Sequence, residues 1–166
     1  MATPFAVHFA LLIGFVVLLL TAAAVDTRDY LIPNRLSVAI ALLYPAHLLT
    51  SPIPIDWLFS IGVAVATLAV GFALFAARLL GGGDAKLMAA CALWAGGEFI
   101  VPFLLMTTLS GGALAFAMWL KSRLSIAAAD GPELDASKPI EARPIPYGVA
   151  IAIGGVHVAL SKLVGV

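Results

Sequence analysis

The sequence predicts an all-α integral membrane protein of six transmembrane helices, and three observations carry that expectation. Apolar residues make up 63% of the 166 positions and charged residues only 11%, with a mean hydropathy of +1.11. A water-soluble domain of this length keeps too much surface in contact with water to hide so much apolar area. The apolar residues also come in long runs broken by charge or by Gly and Pro, the pattern of segments solvated by lipid. Finally, the basic residues sort to one side once those runs alternate in direction, as the positive-inside rule requires.

Taken in order, the expected spans are 4–25, 35–49, 57–79, 85–95, 99–120 and 146–164, within a single membrane-embedded domain over 1–166. The first, "PFAVHFALLIGFVVLLLTAAAV", lacks the basic start of a signal peptide, although "TAAAV" faintly resembles a cleavage site; it reads as a membrane span. The second follows "YLIPN". Pro33 disfavours helix at Ile32, and Asn34 is well placed as an N-cap. The third runs up to "LGGGDAKL", where Gly81, Gly82 and Gly83 are expected to break the helix and to permit close backbone approach or positive φ. Asp84 would then N-cap the fourth helix. The second and fourth segments are short against the roughly 20 residues of a full crossing. "TSPIPID" and "GGE" form brief external turns, and a loop over 121–145 holds most of the acids and several prolines.

With six crossings and both termini outside the cytoplasm, Arg28, Arg35, Arg78, Lys86, Lys121, Arg123, Lys138 and Arg143 face the cytoplasm and only Lys162 does not. Were the fourth segment a re-entrant arm, the loop carrying the last four of those eight would point outward. The charge pattern therefore favours six crossings.

The chemistry available is narrow. Cys91 is the lone cysteine, which excludes an internal disulfide and a multi-cysteine zinc site; it reads as a small apolar filler. His8, His47 and His157 are scattered without metal-ligand spacing, so helix packing or interfacial hydrogen bonding is the better reading, and no metal is expected. No G-x-S-x-G elbow is present. Glu98 and Asp56 fall in the external turns, where a solvated role suffices. Nothing points to nucleic acid.

Two stretches remain, "VDTRDYLIPNRLS" and "LGGGDAKLMA". Each has a bland reading, the first as a helix–turn–helix junction and the second as a capped helix start. The topology adds what the local reading lacks: the first and third spans both end on the cytoplasmic side, so Asp26 and Asp84 share one face at similar depth. Two carboxylates meeting there would resist ionising together, so that one holds a proton while the other stays charged. Such a pair takes a proton from water and polarises a scissile carbonyl. A small proton-coupled carrier or channel subunit is the competing class. It predicts ionisable groups through the membrane thickness rather than crowded on one face.

The two stretches resemble the type IV prepilin leader peptidases, polytopic aspartic proteases that show an aspartate shortly before an I/L-P-N/D turn and, later, G-x-G-D followed by x-K. The matching residues here are "DTRDYLIPN" and "GGGDAKL", in the same order, and "RPIPYGVAIAIGG" opens the last span as in that family. The resemblance implies that Asp26 and Asp84 are the catalytic pair, with Asp29 as a competing candidate for the first position. Gly81, Gly82, Gly83, Lys86, Pro33 and Asn34 would support the site or the substrate. It implies an enzyme without cofactor in the bacterial inner membrane, with the lipid bilayer and a prepilin or pseudopilin as partners. The substrate's short basic leader would be cut at the cytoplasmic face. Lys86 would tune Asp84 or anchor the interface, and Asp130, Glu133, Asp135 and Glu141 would attract the leader or simply be solvated. Bifunctional members carry an insert with paired C-x-x-C motifs near the N-terminus. Here the first span leads straight to Asp26, so the chain resembles the short Flp/Tad-type form, and methyltransferase activity is not expected.

Overall fold

The computed structural model describes residues 2–128 and 145–165. They form five α-helices: α1 (Ala2–Asp29), α2 (Asn34–Thr50), α3 (Trp57–Ala76), α4 (Gly82–Ala128) and α5 (Tyr147–Val164). The described residues include no strand. Four stretches are long and apolar enough to cross a membrane: Phe5–Asp29, Trp57–Ala76, Gly82–Lys121 and Tyr147–Val164. The acids Asp130, Glu133, Asp135 and Glu141, and with them Lys138 and Arg143, lie outside the described residues.

The fourth and fifth expected segments join in one 47-residue element, α4, interrupted at Gly96 by a non-helical φ of 58° and ψ of −162°. Glycine is required there twice over. A left-handed φ strains any side chain, and a Cβ would sit 2.8 Å from Ser60 Oγ. The packing shows that the two arms of α4 run in opposite directions. In the first arm Gly82 lies against Phe75, Ala85 against Gly71, and Gly96 and Gly97 against Ser60 and Phe59, so the arm is antiparallel to α3. In the second, Phe99 lies beneath the Lys162 ammonium, Phe103 and Thr107 beside Gly154, and Gly111 beside Tyr147, so this arm is antiparallel to α5. The "GGE" turn expected from the sequence is thus a reversal built on one backbone conformation.

α1 is antiparallel to two neighbours. Along α2 it pairs Gly14 with Leu43, and His8 stacks on His47 at 4.9 Å. Along α5 it pairs Leu19 with Gly155 and Asp26 with Gly148. The first arm of α4 is the innermost segment: Ala85, Leu87, Cys91, Ala92, Trp94 and Ala95 are all buried. Fourteen residues span about 20 Å, well short of a hydrocarbon core. This segment is sheathed by other helices, so its length need not match the lipid. Cys91 is one of its apolar fillers. Trp94 locks it in place, stacked between Phe15 at 4.4 Å and His47 at 4.6 Å. Its indole N–H donates to the Ile40 carbonyl at 2.9 Å, which removes the cost of burying that donor. α3, by contrast, turns Leu58, Val65, Val70 and Phe75 outward, an exposure that costs nothing against lipid.

Three helix ends differ from expectation. α3 stops at Ala76 rather than 79 in a Schellman turn. Leu79 N–H bonds the Leu74 carbonyl and Arg78 N–H the Phe75 carbonyl, each at 2.9 Å. Arg78 takes the left-handed position, φ 60°, that glycine usually fills. The expected break therefore falls just before the glycines, and Gly82 and Gly83 are helical. α1 continues past the last apolar residue to Asp29, followed by Tyr30 at φ 52°. Asn34 is not an N-cap but the first residue of α2. Pro33 occupies the cap position in extended conformation, without a side-chain cap bond. Its fixed φ and its missing N–H suit that place, and Ile32 is non-helical as expected.

Candidate active site

The helix directions bring the end of α1, the start of α2, the end of α3 and the starts of α4 and α5 to one end of the bundle. Asp26 and Asp84 both lie at that end, within electrostatic reach of each other.

Asp26 lies in the last turn of α1 and is 5% exposed. Its Oδ2 accepts a 2.7 Å hydrogen bond from Gly148 N–H, in the first turn of α5. Pro146, at the cap position of α5, supplies no side-chain cap, so the carboxylate of α1 does that work from another helix. The partial positive charge of a helix N-terminus suits an anion there. Asp29 is exposed, one turn further on and at the very end of α1; the structure does not bring it to the pair.

Asp84 is the third residue of α4, not its cap. Its carboxylate turns back toward the Gly81 backbone, the direction in which a third-position Glu or Gln reaches in a capping box. The Gly81 carbonyl in turn accepts from Ala85 N–H at 3.1 Å. A Cβ on Gly81 would lie 2.6 Å from Asp84 Oδ2, so the small residue leaves the room the carboxylate uses. Gly83 does the same for a neighbouring element: a Cβ there would come within 3.1 Å of both Ile32 Cβ and the Ile32 carbonyl oxygen. Gly82 sits against the ring of Phe75. None of these three glycines has positive φ. Close approach, not turn geometry, accounts for them.

The two sequence stretches are joined once more at their rims. Lys86 Nζ donates to Asn34 Oδ1 at 2.9 Å, linking the second turn of α4 to the first residue of α2. Lys86 thus braces the α2–α4 contact, and Pro33 and Ile32 form the turn that passes beneath Gly83. Gly148 is the site residue that local reading of the sequence missed. Its signal was the "PIPYG" run before the last span, in which a helix start lacks its own capping side chain.

The other candidates gather at the opposite end. His8 and His47 stack there, and with Asp56, Ser60, Glu98 and Lys162 they line a cavity of about 280 Å³. His47 is 1% exposed, and among the described residues neither of its ring nitrogens has a hydrogen-bond partner; its role in the fold is stacking on Trp94. Asp56 does more than expected of a solvated turn residue, N-capping α3 through Phe59 N–H at 3.0 Å. Among the described residues no group of three or more His, Cys, Asp or Glu is placed to hold a metal ion.

No curated protein and no solved structure matches the chain. The type IV leader peptidase family does match, over residues 13–116. That stretch begins in α1 and ends in the second arm of α4, with Asp26, Asp84 and the elements that bring them together inside it. This protein, a helical chain with several apolar helices of membrane-crossing length, therefore belongs to the type IV leader peptidase family.

Proposed function

We propose that the protein is an aspartic endopeptidase that removes the short basic leader from Flp-type prepilins. It would act at the cytoplasmic face of the bacterial inner membrane, with Asp26 and Asp84 as its catalytic pair. The observation that carries this reading is the gathering of two carboxylates from separate helices at one end of the bundle, Asp26 held by the Gly148 N–H and Asp84 turned toward Gly81. With one proton between them, the charged carboxylate takes a proton from water as the hydroxide adds to the scissile carbonyl carbon. The protonated carboxyl gives its proton to the carbonyl oxygen. Collapse of the resulting diol breaks the C–N bond: the proton on the first carboxyl passes to the leaving nitrogen, and one diol hydroxyl returns its proton to the second carboxylate, restoring the singly protonated pair. No step needs a metal or cofactor.

Six crossings with both termini outside, within a single domain, support the side of cleavage. Among the described residues, Arg28, Arg35, Arg78 and Lys86 sit on helix ends or connections at the carboxylate end, and Lys162 sits at the other. The positive-inside rule then puts the pair at the cytoplasm, where a basic leader followed by an apolar substrate helix would present its junction. A proton-relay carrier finds less support. Among the described residues between the carboxylates and the His47 level, the buried side chains of α1, α2 and the first arm of α4 include Ser37 and Tyr44 but no acidic or basic residue.

The test is cleavage of a Flp-type prepilin in membranes by wild type and by Asp26→Asn, Asp84→Asn and Asp29→Asn at equal protein levels. The first two abolish processing and the third retains it. Processing by either of the first two variants would remove the catalytic assignment.

A further inference from the structure

The residues matched to the family end at 116, yet α5, which begins at Tyr147, holds one of the two carboxylates. Of the amides opening α5, Tyr147 N–H bonds the Ile145 carbonyl at 2.8 Å and Val149 N–H the Pro146 carbonyl at 3.2 Å. Gly148 N–H, between them, is directed at Asp26 Oδ2 at 2.7 Å, in a buried contact. The approach is closer than any side chain permits. A Cβ at position 148 would lie 2.8 Å from Asp26 Oδ2, 2.9 Å from its Cβ and 3.1 Å from its Cγ. The Asp26 Cβ is fixed to the main chain of α1, so this clash cannot be relieved by rotating a flexible tip.

The approach is prepared one helical stretch away. Gly155 sits against Leu19 in the same α1–α5 interface, and the small residues of α5, Ala152 and Gly155 among them, let the two helices pack closely. Gly148 and Gly155 are thus equivalent in packing but not in chemistry. Only the first touches a carboxylate.

We propose that Gly148 is a positioning residue for catalysis. Its N–H holds Oδ2 of Asp26, so that Oδ1 is the oxygen that exchanges protons with water and with Asp84. The inference rests on the reading of Asp26 as catalytic. It adds that the last helix, outside the family match, fixes the orientation of that group.

The experiment measures kcat and KM for a Flp-type prepilin, together with thermal stability in detergent, for four forms of the full chain. These are wild type, Gly148→Ala, Gly155→Ala and a form in which residue 148 is incorporated as glycolate. The glycolate form replaces the N–H with an ester oxygen and adds no atom in the carboxylate's way. Gly148→Ala lowers kcat by about 100-fold, as expected when a catalytic group is displaced by about 1 Å. The ester lowers kcat by about tenfold or more, the worth of one hydrogen bond to a charged group. In both, KM stays near the wild-type value. Gly155→Ala lowers thermal stability and leaves kcat near wild type.

A wild-type kcat in the ester form, alongside an inactive Asp26→Asn enzyme, overturns the positioning role and leaves the carboxylate pair intact. Equal kcat losses in Gly148→Ala and Gly155→Ala, following their stability losses, also overturn it, by making Gly148 a packing residue only. Cleavage by Asp26→Asn removes the underlying reading itself.

Discussion

The two ends of this helix bundle are built on opposite plans. At one end, two carboxylates sit among glycines and the starts of two helices, one accepting the Gly148 N–H and the other turned toward the Gly81 backbone. At the other end there is space, a cavity of about 280 Å³. The stacked rings of His8 and His47 line it together with Asp56, Ser60, Glu98 and Lys162, and among the described residues the His47 nitrogens have no hydrogen-bond partner. A carboxylate that must keep one orientation needs donors fixed before substrate arrives, and backbone amides at helix starts meet that need because they have no rotamers to lose.

The sharpest way to break this contrast is to disable each end in turn. Asp26→Asn or Asp84→Asn lowers the cleavage rate by at least about 10³-fold, within the range for loss of a general acid or base. His47→Phe and Lys162→Met, at the cavity end, leave the rate at the wild-type level. A cleavage defect in both sets at equal protein abundance would show that the two ends work as one site.

The second effect in size falls on the reversal that gives the cavity end its shape. Gly96→Ala places a side chain at φ 58° and 2.8 Å from Ser60 Oγ. Unfolding in mixed detergent micelles should show a loss of about 1–3 kcal/mol. An unchanged midpoint would mean that the two arms of α4 do not depend on that backbone conformation.

Between the ends, Trp94 ties the buried arm of α4 to α2. Trp94→Phe keeps an aromatic ring between Phe15 and His47 but loses the donor to Ile40. The expected cost is about 1 kcal/mol by the same unfolding measurement. The smallest effect belongs to the exposed brace at the carboxylate end. Lys86→Met and Asn34→Ala each cost less than about 1 kcal/mol, and the double variant costs less than their sum because one hydrogen bond is removed only once. Strict additivity would show that this contact contributes nothing to joining α2 and α4.

The helical segments and their alternation in direction within the bundle were legible in the sequence, because apolar run length and its interruptions are one-dimensional signals. The reversal at "GGE" was legible for the same reason. The local terminations were not. The end of α3 depends on Arg78 accepting a left-handed conformation, which no propensity for arginine suggests. The start of α2 depends on Pro33 at the cap position while the Asn34 side chain is engaged by Lys86. That competition is decided by a residue 52 positions away.

For the carboxylate pair, the order of Asp26 and Asp84, their flanking motifs and their common face were all present in the linear chain. Asp26 and Asp29, only three positions apart, could not be separated by face alone. It took the bundle to bury the first against α5 and to leave the second exposed. Of the two reasons the sequence offered for the glycines of "GGGD", the structure selects close approach over positive φ, since their φ angles are ordinary and their value is in what lies against them. Gly148, more than a hundred residues from Asp26 in sequence, had no local pattern linking it to a carboxylate. Patterning along a chain specifies which segments enter lipid and which way they run, because each residue's transfer free energy acts where that residue stands. Which backbone amide meets which carboxylate depends on the closest approach of helices distant in sequence, and only their packing against one another decides it.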